Sequence, residues 1–418
     1  MTQPLPHQYP RPLEGIRVLD LTVALAGPYA TLMLGGMGAE VIRVEQPGGG
    51  DIARDNPPFV GKDGVHFGSR QEGEVSLTIL NRARNKKSIT LDLKQAKGRQ
   101  LLARLAVECD VVVENMSEGT AARLGADYET LSRANPRIVY CSINSLGDPS
   151  AYPGLKGMDI IAQALSGLME VTGAPHGGPT RVGVPVGDLL APVYAVNGIL
   201  AALIQRGRTG EGQHVKVSML DCLASWVAEE HFDVVARAGL PTRSGNFHDR
   251  LVPFGIYKTT DGAVAIAAFQ PAWMKALMEA MSRPELLDDP RFNKRGPRMA
   301  NATALNQIVQ EWTRGLTADA VVEELFTRRN VPAARVRKPQ EVLGDPHLHS
   351  TGALTQINHP LLSDDGAVGM GLPIQFSKAH AQFDKPAVEL GASNAQIYAD
   401  LLGLTAEQLA QLKTGNVI

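Results

Sequence analysis

A chain of 418 residues can bury a substantial core and is long enough for two domains or one large elaborated one. With 44% hydrophobic and 20% charged residues it has the make-up of a soluble globular protein, and a formal net charge of −2 gives no electrostatic case for nucleic acid or an anionic membrane. Cys109, Cys141 and Cys222 form no CxxC pair and no even-numbered disulfide framework, which points to a reducing cytoplasm.

The first dozen residues are polar and proline-rich, so they read as disordered and not as a signal peptide. No apolar run approaches the roughly 20 residues that span a bilayer. IRVLDLT (Ile16–Thr22) reads as a buried strand, Ala26-Gly27-Pro28 opens a helix through Leu34, and EVIRVE (Glu40–Glu45) is a second strand. Strand, helix and strand in this order fit a right-handed βαβ unit. The alternation continues with strands at Ser88–Leu93, Asp110–Glu114 and Ile138–Ile143 and helices at Gly98–Val107 and Tyr128–Ala134. The fold class is therefore α/β with a mostly parallel sheet.

RVGVPVG reads as an apolar strand ending in glycine, and Leu189–Arg206 as a helix apolar nearly all round and hence buried. A Gly-rich turn (Arg208–Gln213), the strand HVKVSM and a second long helix over Asp221–Ala238 follow. Near residue 245 the texture changes. A TTDG turn between two short strands predicts a hairpin, followed by helices at Ala272–Met281 and Ala302–Arg314 and a third capped by Thr317, with Asp319 in its first turn. From about Asp345 the chain has loops, a short strand and a final helix.

Most candidate chemistry has a plain structural explanation. Gly35, Gly36 and Gly38 follow a helix and precede a strand, the reverse of a dinucleotide fingerprint, so they read as a helix end and turn. Gly48-Gly49-Gly50-Asp51 follows the second strand, where a loop could approach a ligand. His347 and His349, in a DPHLH loop, lack the further ligands of a metal site, and no HExxH or GxSxG is present. Arg82, Arg84, Lys86 and Lys87 read either as a solvated loop or as a phosphate-binding edge near the ends of parallel strands. Asp188, between the glycine and the buried helix, reads by position as an N-cap, or else as an ionised nucleophile kept charged by helix amides. Composition and spacing leave both open.

Several motifs in order resemble the family III CoA-transferases, which include formyl-CoA:oxalate and carnitine CoA-transferases. They are PLEGIRVLDLT, AGP, MGAEVIRVEQPGGGD, NKKSITLDLK, DVVVENMSEGTAARLG, NPRIVYCSINSLG, KGMDIIAQALSGLMEVTG, VGD and RTGEGQHVKVSM. FGIYKTTDG, DPRF and the terminal segment match more loosely, so the resemblance runs from about residue 12 over almost the whole chain. It implies a Rossmann-like large domain and a smaller α+β domain, with two subunits interlocked as a homodimer. The corresponding divisions are 1–220 for the large domain, 221–245 for a linker helix, 246–340 for the small domain and 341–418 for a segment returning to the large domain.

Carried over by motif, Asp188 matches the catalytic aspartate. Asn115, Met116, Arg123 and Leu124 match the segment lining the CoA site, and Lys86, Lys87 and Lys156 match positions that meet CoA phosphates or adenosine. Leu25, which stands where the oxalate enzymes carry glutamine before AGP, is counted with that site. No metal and no permanently bound cofactor is expected, CoA and acyl-CoA being substrates together with a small carboxylic acid. The resemblance also covers α-methylacyl-CoA racemases, which pair the aspartate with a GHD histidine. Here the stretch is Gly157-Met158-Asp159, and methionine exchanges no proton, which favours transfer over racemisation. A racemase and a non-catalytic CoA-binding protein remain the alternatives. Succinyl-CoA is the expected donor, with a small dicarboxylic or branched acid as acceptor. Arg54, Arg181, Arg243, His248 and Arg250 are the candidate cations for an acceptor's second carboxylate.

Overall fold

The computed structural model describes residues 9–248, 250–362 and 366–418, so part of the proline-rich start lies outside the described residues. The chain divides into two compact units. One comprises Met1–Ser166, Gly183–Glu229 and Asp345–Ile418; the other comprises Gly167–Val182 and Glu230–Gly344.

The first unit is built on six strands: β1 (Arg17–Asp20), β2 (Glu40–Glu45), β3 (Lys86–Thr90), β4 (Val111–Glu114), β5 (Val139–Asn144) and β6 (His214–Ser218). They form one sheet in the order β3-β2-β1-β4-β5-β6, and every neighbouring pair is parallel. This is the strand order of a doubly wound nucleotide-binding sheet. The four inner strands, β2, β1, β4 and β5, are almost wholly buried because both faces are covered.

Helices α1 (Ala26–Gly36), α2 (Leu77–Arg82), α3 (Ala96–Val107), α4 (Tyr128–Ala134), α5 (Asp159–Leu165), α6 (Val186–Thr209) and α7 (Met219–Glu229) belong to the same unit. On one face α1 and α6 pack together against the sheet. On the other, Leu101, Leu102 and Leu105 of α3 join Leu19, Ile42, Ile89 and Val112 in a core completed by Ile397, Tyr398, Leu412 and Val417 near the end of the chain. That late segment is also tied on by hydrogen bonds. Tyr398 Oη donates to Thr90 O at 2.7 Å, and Asp92 N donates to Val417 O at 2.8 Å.

Helix α6 is longer and earlier-starting than its sequence suggests. It ends where Gly210 adopts φ +80°, a left-handed C-cap that glycine accepts without strain. By length and composition it could cross a membrane, which corrects the expectation that no segment is apolar enough. Its buried Leu190, Ala191, Ala195, Ile199 and Ala202 account for much of that apolar character as core packing. No strand forms over RVGVPVG; Pro185 is the N-cap residue of α6 instead. The long helix expected over Asp221–Ala238 is also interrupted. α7 stops at Glu229, His231 takes φ +53°, and a separate helix runs Phe232–Arg237. The boundary between the units falls at this break, so residues 221–245 are not one linker helix.

The second unit has an antiparallel sheet of Phe254–Lys258, Ala263–Ala267 and Ala333–Arg335, whose first two strands are the expected hairpin. Helices Pro271–Ala280 and Ala302–Thr313 pack over it around Tyr257, Val264, Ile266, Leu277, Leu305 and Val309. Thr317 caps the next helix by accepting from Ala320 N. Residues 167–182, assigned to the large domain from sequence, belong to this unit, and Asp345–Ile418 to the first. The DPHLH stretch is a short helix, Pro346–Ser350, capped by Asp345.

Candidate active site

The strand order reverses between β1 and β4, and in such sheets ligands settle beyond the carboxyl ends of the strands at that point. The loops leaving these two strands are clamped together. Asn115 Oδ1 accepts from Val23 N at 2.9 Å, and its Nδ2 donates to Val23 O at 2.8 Å. Met116 follows, half-buried against the sheet core, with its N–H on the Glu114 carboxylate at 2.7 Å. Leu25, half-buried, is the N-cap residue of α1. Asn115, Met116 and Leu25 therefore all lie on the loops at the reversal point. A cleft of about 40 Å³ opens beside them, lined by Glu114, Met116, Ser117, Ser142, Asn144 and Asp148 among others. Leu124 packs half-buried nearby, while Arg123 and Lys156 are exposed.

Asp188 sits in the first turn of α6, half-buried, two residues beyond the helix start rather than at its N-cap. The amides expected to hold its charge are taken by another acid. Asp159, in the first turn of α5, accepts from Gly187 N at 2.7 Å and Asp188 N at 3.4 Å, and its other oxygen accepts from the buried Gln163 at 2.7 Å. Residue 187 is closely surrounded: a Cβ there would stand 3.1 Å from the Asp159 carboxylate and 3.3–3.4 Å from Leu223 and Met219, so these neighbours would have to give by a few tenths of an ångström. Pro192, four residues on, has no N–H to give the Asp188 carbonyl its helical partner. Burial first, and the Asp159 charge second, push the Asp188 carboxyl up to about 6, against the pull of Arg82. Asp188 is thus a poised, weakly solvated carboxylate and not an amide-stabilised one, which corrects the expected source of its charge.

Arg82 ends α2, and its Nη1 donates to Ala24 O at 2.9 Å. Ala24 N in turn donates to both oxygens of Asp51, at 3.0 and 3.2 Å. Gripped at both ends, Ala24 holds φ +65°, a left-handed conformation costly for a residue with a Cβ. Asp51 is buried on Arg43, a guanidinium 1% exposed. The Gly48–Gly50 turn carries Asp51 into this position, with Gly48 and Gly50 both at positive φ. The role of that turn is to place an acid beneath the loop after β1.

The basic cluster does not behave as a phosphate-binding edge. Lys86 is buried, and its Nζ is consumed by Asp20 Oδ2 at 3.0 Å, Pro28 O at 2.8 Å and Thr31 Oγ1 at 2.7 Å. Burial brings the ammonium down to about 8, with Asp20 pulling the other way. Contact with a CoA phosphate does not fit this placement. Lys87 pairs with Glu40 at 2.7 Å, and the buried Arg84 donates to Asn81 and to Met370 O.

Of the candidate acceptor cations, Arg54 spends Nε and Nη2 on the two oxygens of Glu45, both at 2.8 Å. In the second unit Arg243 is buried on Glu170 and Gly177 O, Arg250 pairs with Glu230, and exposed Arg181 donates to Val182 O. His248 lines an apolar cavity of about 640 Å³ there with Phe247, Phe254 and Phe326. No group of three His, Cys, Asp or Glu side chains suited to a metal occurs among the described residues. Sequence reasoning missed Asp159 as the acid capping α6 and Arg82 as the cation whose charge acts on Asp188. Asp159 had a signal, since it is the acid of the GMD stretch; Arg82 had none beyond its place in a basic run.

Residues 13–394 match CoA-transferase family III. The chain is 40% identical over 372 residues to a succinyl-CoA:mesaconate CoA-transferase of Haloarcula hispanica, covering 88% of this chain and 90% of that one. It is 34% identical to a succinate–glutarate CoA-transferase of Agrobacterium fabrum, covering 95% and 97%. A crystal structure of a CAIB/BAIF family protein from Brucella suis superposes with TM-score 0.80 at 33% identity, covering 94% of this chain and all of that one.

Proposed function

The chain belongs to CoA-transferase family III, and from that membership we propose that it moves CoA from succinyl-CoA to a small carboxylic acid through a covalent thioester on Asp188. The observation that carries the reading is the Asp188 carboxylate. It is half-buried, relieved of the helix amides by Asp159, and titrates near neutrality without being locked in an ion pair. A carboxylate stabilised by strong bonds would be a poor nucleophile; this one is not.

The chemistry runs as two exchanges. The Asp188 carboxylate attacks the thioester carbonyl of the donor, giving a mixed anhydride and CoA thiolate. The thiolate attacks the aspartyl carbonyl, leaving an aspartyl-CoA thioester and the donor acid as its carboxylate. The acceptor carboxylate then attacks that thioester, a second anhydride forms, and the thiolate takes the acceptor's acyl group, restoring Asp188. Anhydride and thioester both hydrolyse if water enters, so burial of the site serves the reaction. No metal or resident cofactor takes part, and CoA enters as substrate. Mass spectrometry of CoA products from a panel of acyl-CoA donors and free acids tests the reading. Exchange of CoA between acids is expected, whereas deuterium incorporation at the α-carbon without exchange would point to a racemase instead.

Two further outcomes follow from the electrostatics. Only the ionised carboxylate attacks, so kcat/KM for the acyl-CoA should fall about tenfold per pH unit below about 6 and level off above it. Asp159→Asn removes the neighbouring charge yet keeps an oxygen for Gly187 N, so it should move that acid limb to lower pH. The limb should not reach the ordinary carboxylate range, because burial is the larger cause. A limb unmoved by the substitution would separate Asp159 from the titration.

The assembly we propose is the interlocked homodimer implied by the resemblance, working in the cytoplasm. Large apolar side chains left exposed on α6 and α7, namely Val193, Tyr194, Ile204 and Trp226, support a covering partner. The cysteines, all free and buried, support a reducing compartment.

A further inference from the structure

The loop after β1 rests on a layer of buried charge in which each acid has its own cation. Asp20 is taken by Lys86, Asp51 by Arg43, and Glu45 by Nε and Nη2 of Arg54. Arg82 stands over the same layer with no such partner. Its one hydrogen bond among the described residues is the 2.9 Å contact to Ala24 O, and it forms no ion pair. A half-buried guanidinium bound only to a carbonyl is disfavoured, and burial duly lowers its pKa. The charges acting in its favour are those of Asp188 and Asp51. Arg82 and Asp188 therefore feel each other while remaining beyond ion-pair distance.

An acid approaching Asp188 also meets Asp159, so it enters a field of like charge. It needs a cation, and the other cations of the basic run and of the loop after β2 are engaged: Lys86 and Arg54 as above, Lys87 on Glu40, Arg84 on Asn81 and Met370 O. The planar fork of arginine matches a carboxylate, and Arg82 still has donors to offer. The reacting carboxyl must sit within about 3–3.5 Å of its partner atoms at Asp188. A group held on Arg82 therefore belongs to the far end of the same short acid.

We propose that Arg82 docks the non-reacting carboxylate of a short dicarboxylic acid, first on the acyl-CoA donor and then on the free acceptor. Ala24, strained and bonded to Asp51 and Arg82, sets the guanidinium's position. The assignment rests on the transfer reading above and narrows its substrates to dicarboxylates.

The test compares wild type, Arg82→Met and Arg82→Lys with succinyl-CoA as donor and glutarate or pentanoate, acids of equal chain length, as acceptor. Arg82→Met should lower the glutarate-to-pentanoate ratio of kcat/KM by roughly 10- to 100-fold, mainly through KM for glutarate. Arg82→Lys, which keeps the charge without the fork, should recover part of it. An unchanged ratio in Arg82→Met overturns the proposal. If that variant does not fold, Arg82→Lys decides alone: a loss on glutarate exceeding that on pentanoate supports the docking role, and equal losses refute it. Calorimetric titration of glutarate into each protein separates this idea from the transfer reading. Should wild type transfer CoA to neither acid, weaker glutarate binding in the variants still supports the docking role, and equal or undetectable binding throughout overturns it.

Discussion

Asp188→Asn is expected to cut CoA transfer by roughly 10³-fold or more while making the protein more resistant to heat. The first effect follows from the chemistry, because a carboxamide cannot open the thioester to an anhydride and no other acid is placed to substitute. Asp159 is the nearest, but its oxygens are committed to Gly187 N and Gln163. Hydroxylamine added with an acyl-CoA donor should convert Asp188 to the hydroxamate in wild type, and mass spectrometry should find no hydroxamate elsewhere in the variant. The second effect follows from linkage. The Asp188 carboxyl titrates at about 6 in the folded chain against 3.8 as its ordinary value, so folding favours its protonated form. Its unfavourable contribution is absent below the unfolded value, grows as pH rises through the folded one, and is full at pH 7–8. Removing the charge should then add on the order of 2 kcal/mol and raise Tm by several degrees at pH 8, with little change at pH 4. A variant that keeps transferring, or one that is destabilised at pH 8, contradicts the role assigned to this carboxylate.

Lys86→Met should carry the largest stability loss, about 3–5 kcal/mol, because it strands the Asp20 carboxylate in the core. Asp20 is fully buried. Burial alone would raise its pKa; the charges of Lys86 and Arg43, with the hydroxyls of Thr22 and Thr31, hold it below the usual range. Without the ammonium one of these contributions disappears and the desolvation cost remains. Guanidinium unfolding midpoints measure the loss, and the double variant Lys86→Met with Asp20→Asn should recover much of it, since both ends of the pair are then neutral. A weakened CoA affinity with unchanged stability would instead restore Lys86 as a phosphate contact.

The contrast between Lys86 and the strands around it marks how far the sequence could be read. β2, β4 and the helix Tyr128–Ala134 were legible because apolar runs and turn residues are local signals. The fate of Lys86 was not local. Its partner Asp20 stands 66 positions away and meets it only because β1, β2 and β3 are adjacent in one sheet. Asp188 was identified from a motif, yet its environment was misjudged for a similar reason. The acid that occupies the α6 amides comes from a different helix, 28 positions earlier. Arg82 was indistinguishable from Arg84 in sequence. Three dimensions separate them: Arg84 is buried on Asn81 and Met370 O, whereas Arg82 stands half-buried over acids already paired with Lys86, Arg43 and Arg54.

The core on the α3 face of the sheet has a bearing on how the protein is made. All six strands have been synthesised by Ser218, but Ile397, Tyr398, Leu412 and Val417, which close that face, follow the whole of the second unit. A nascent chain therefore carries an assembled but half-uncovered sheet while the ribosome works through Glu230–Gly344. At roughly 5–20 residues per second that interval lasts several seconds or more, long enough for chaperones to engage the open face. Ribosome-bound chains halted before residue 394 should be far more sensitive to protease than full-length ones, because the last layer arrives only with the final helices.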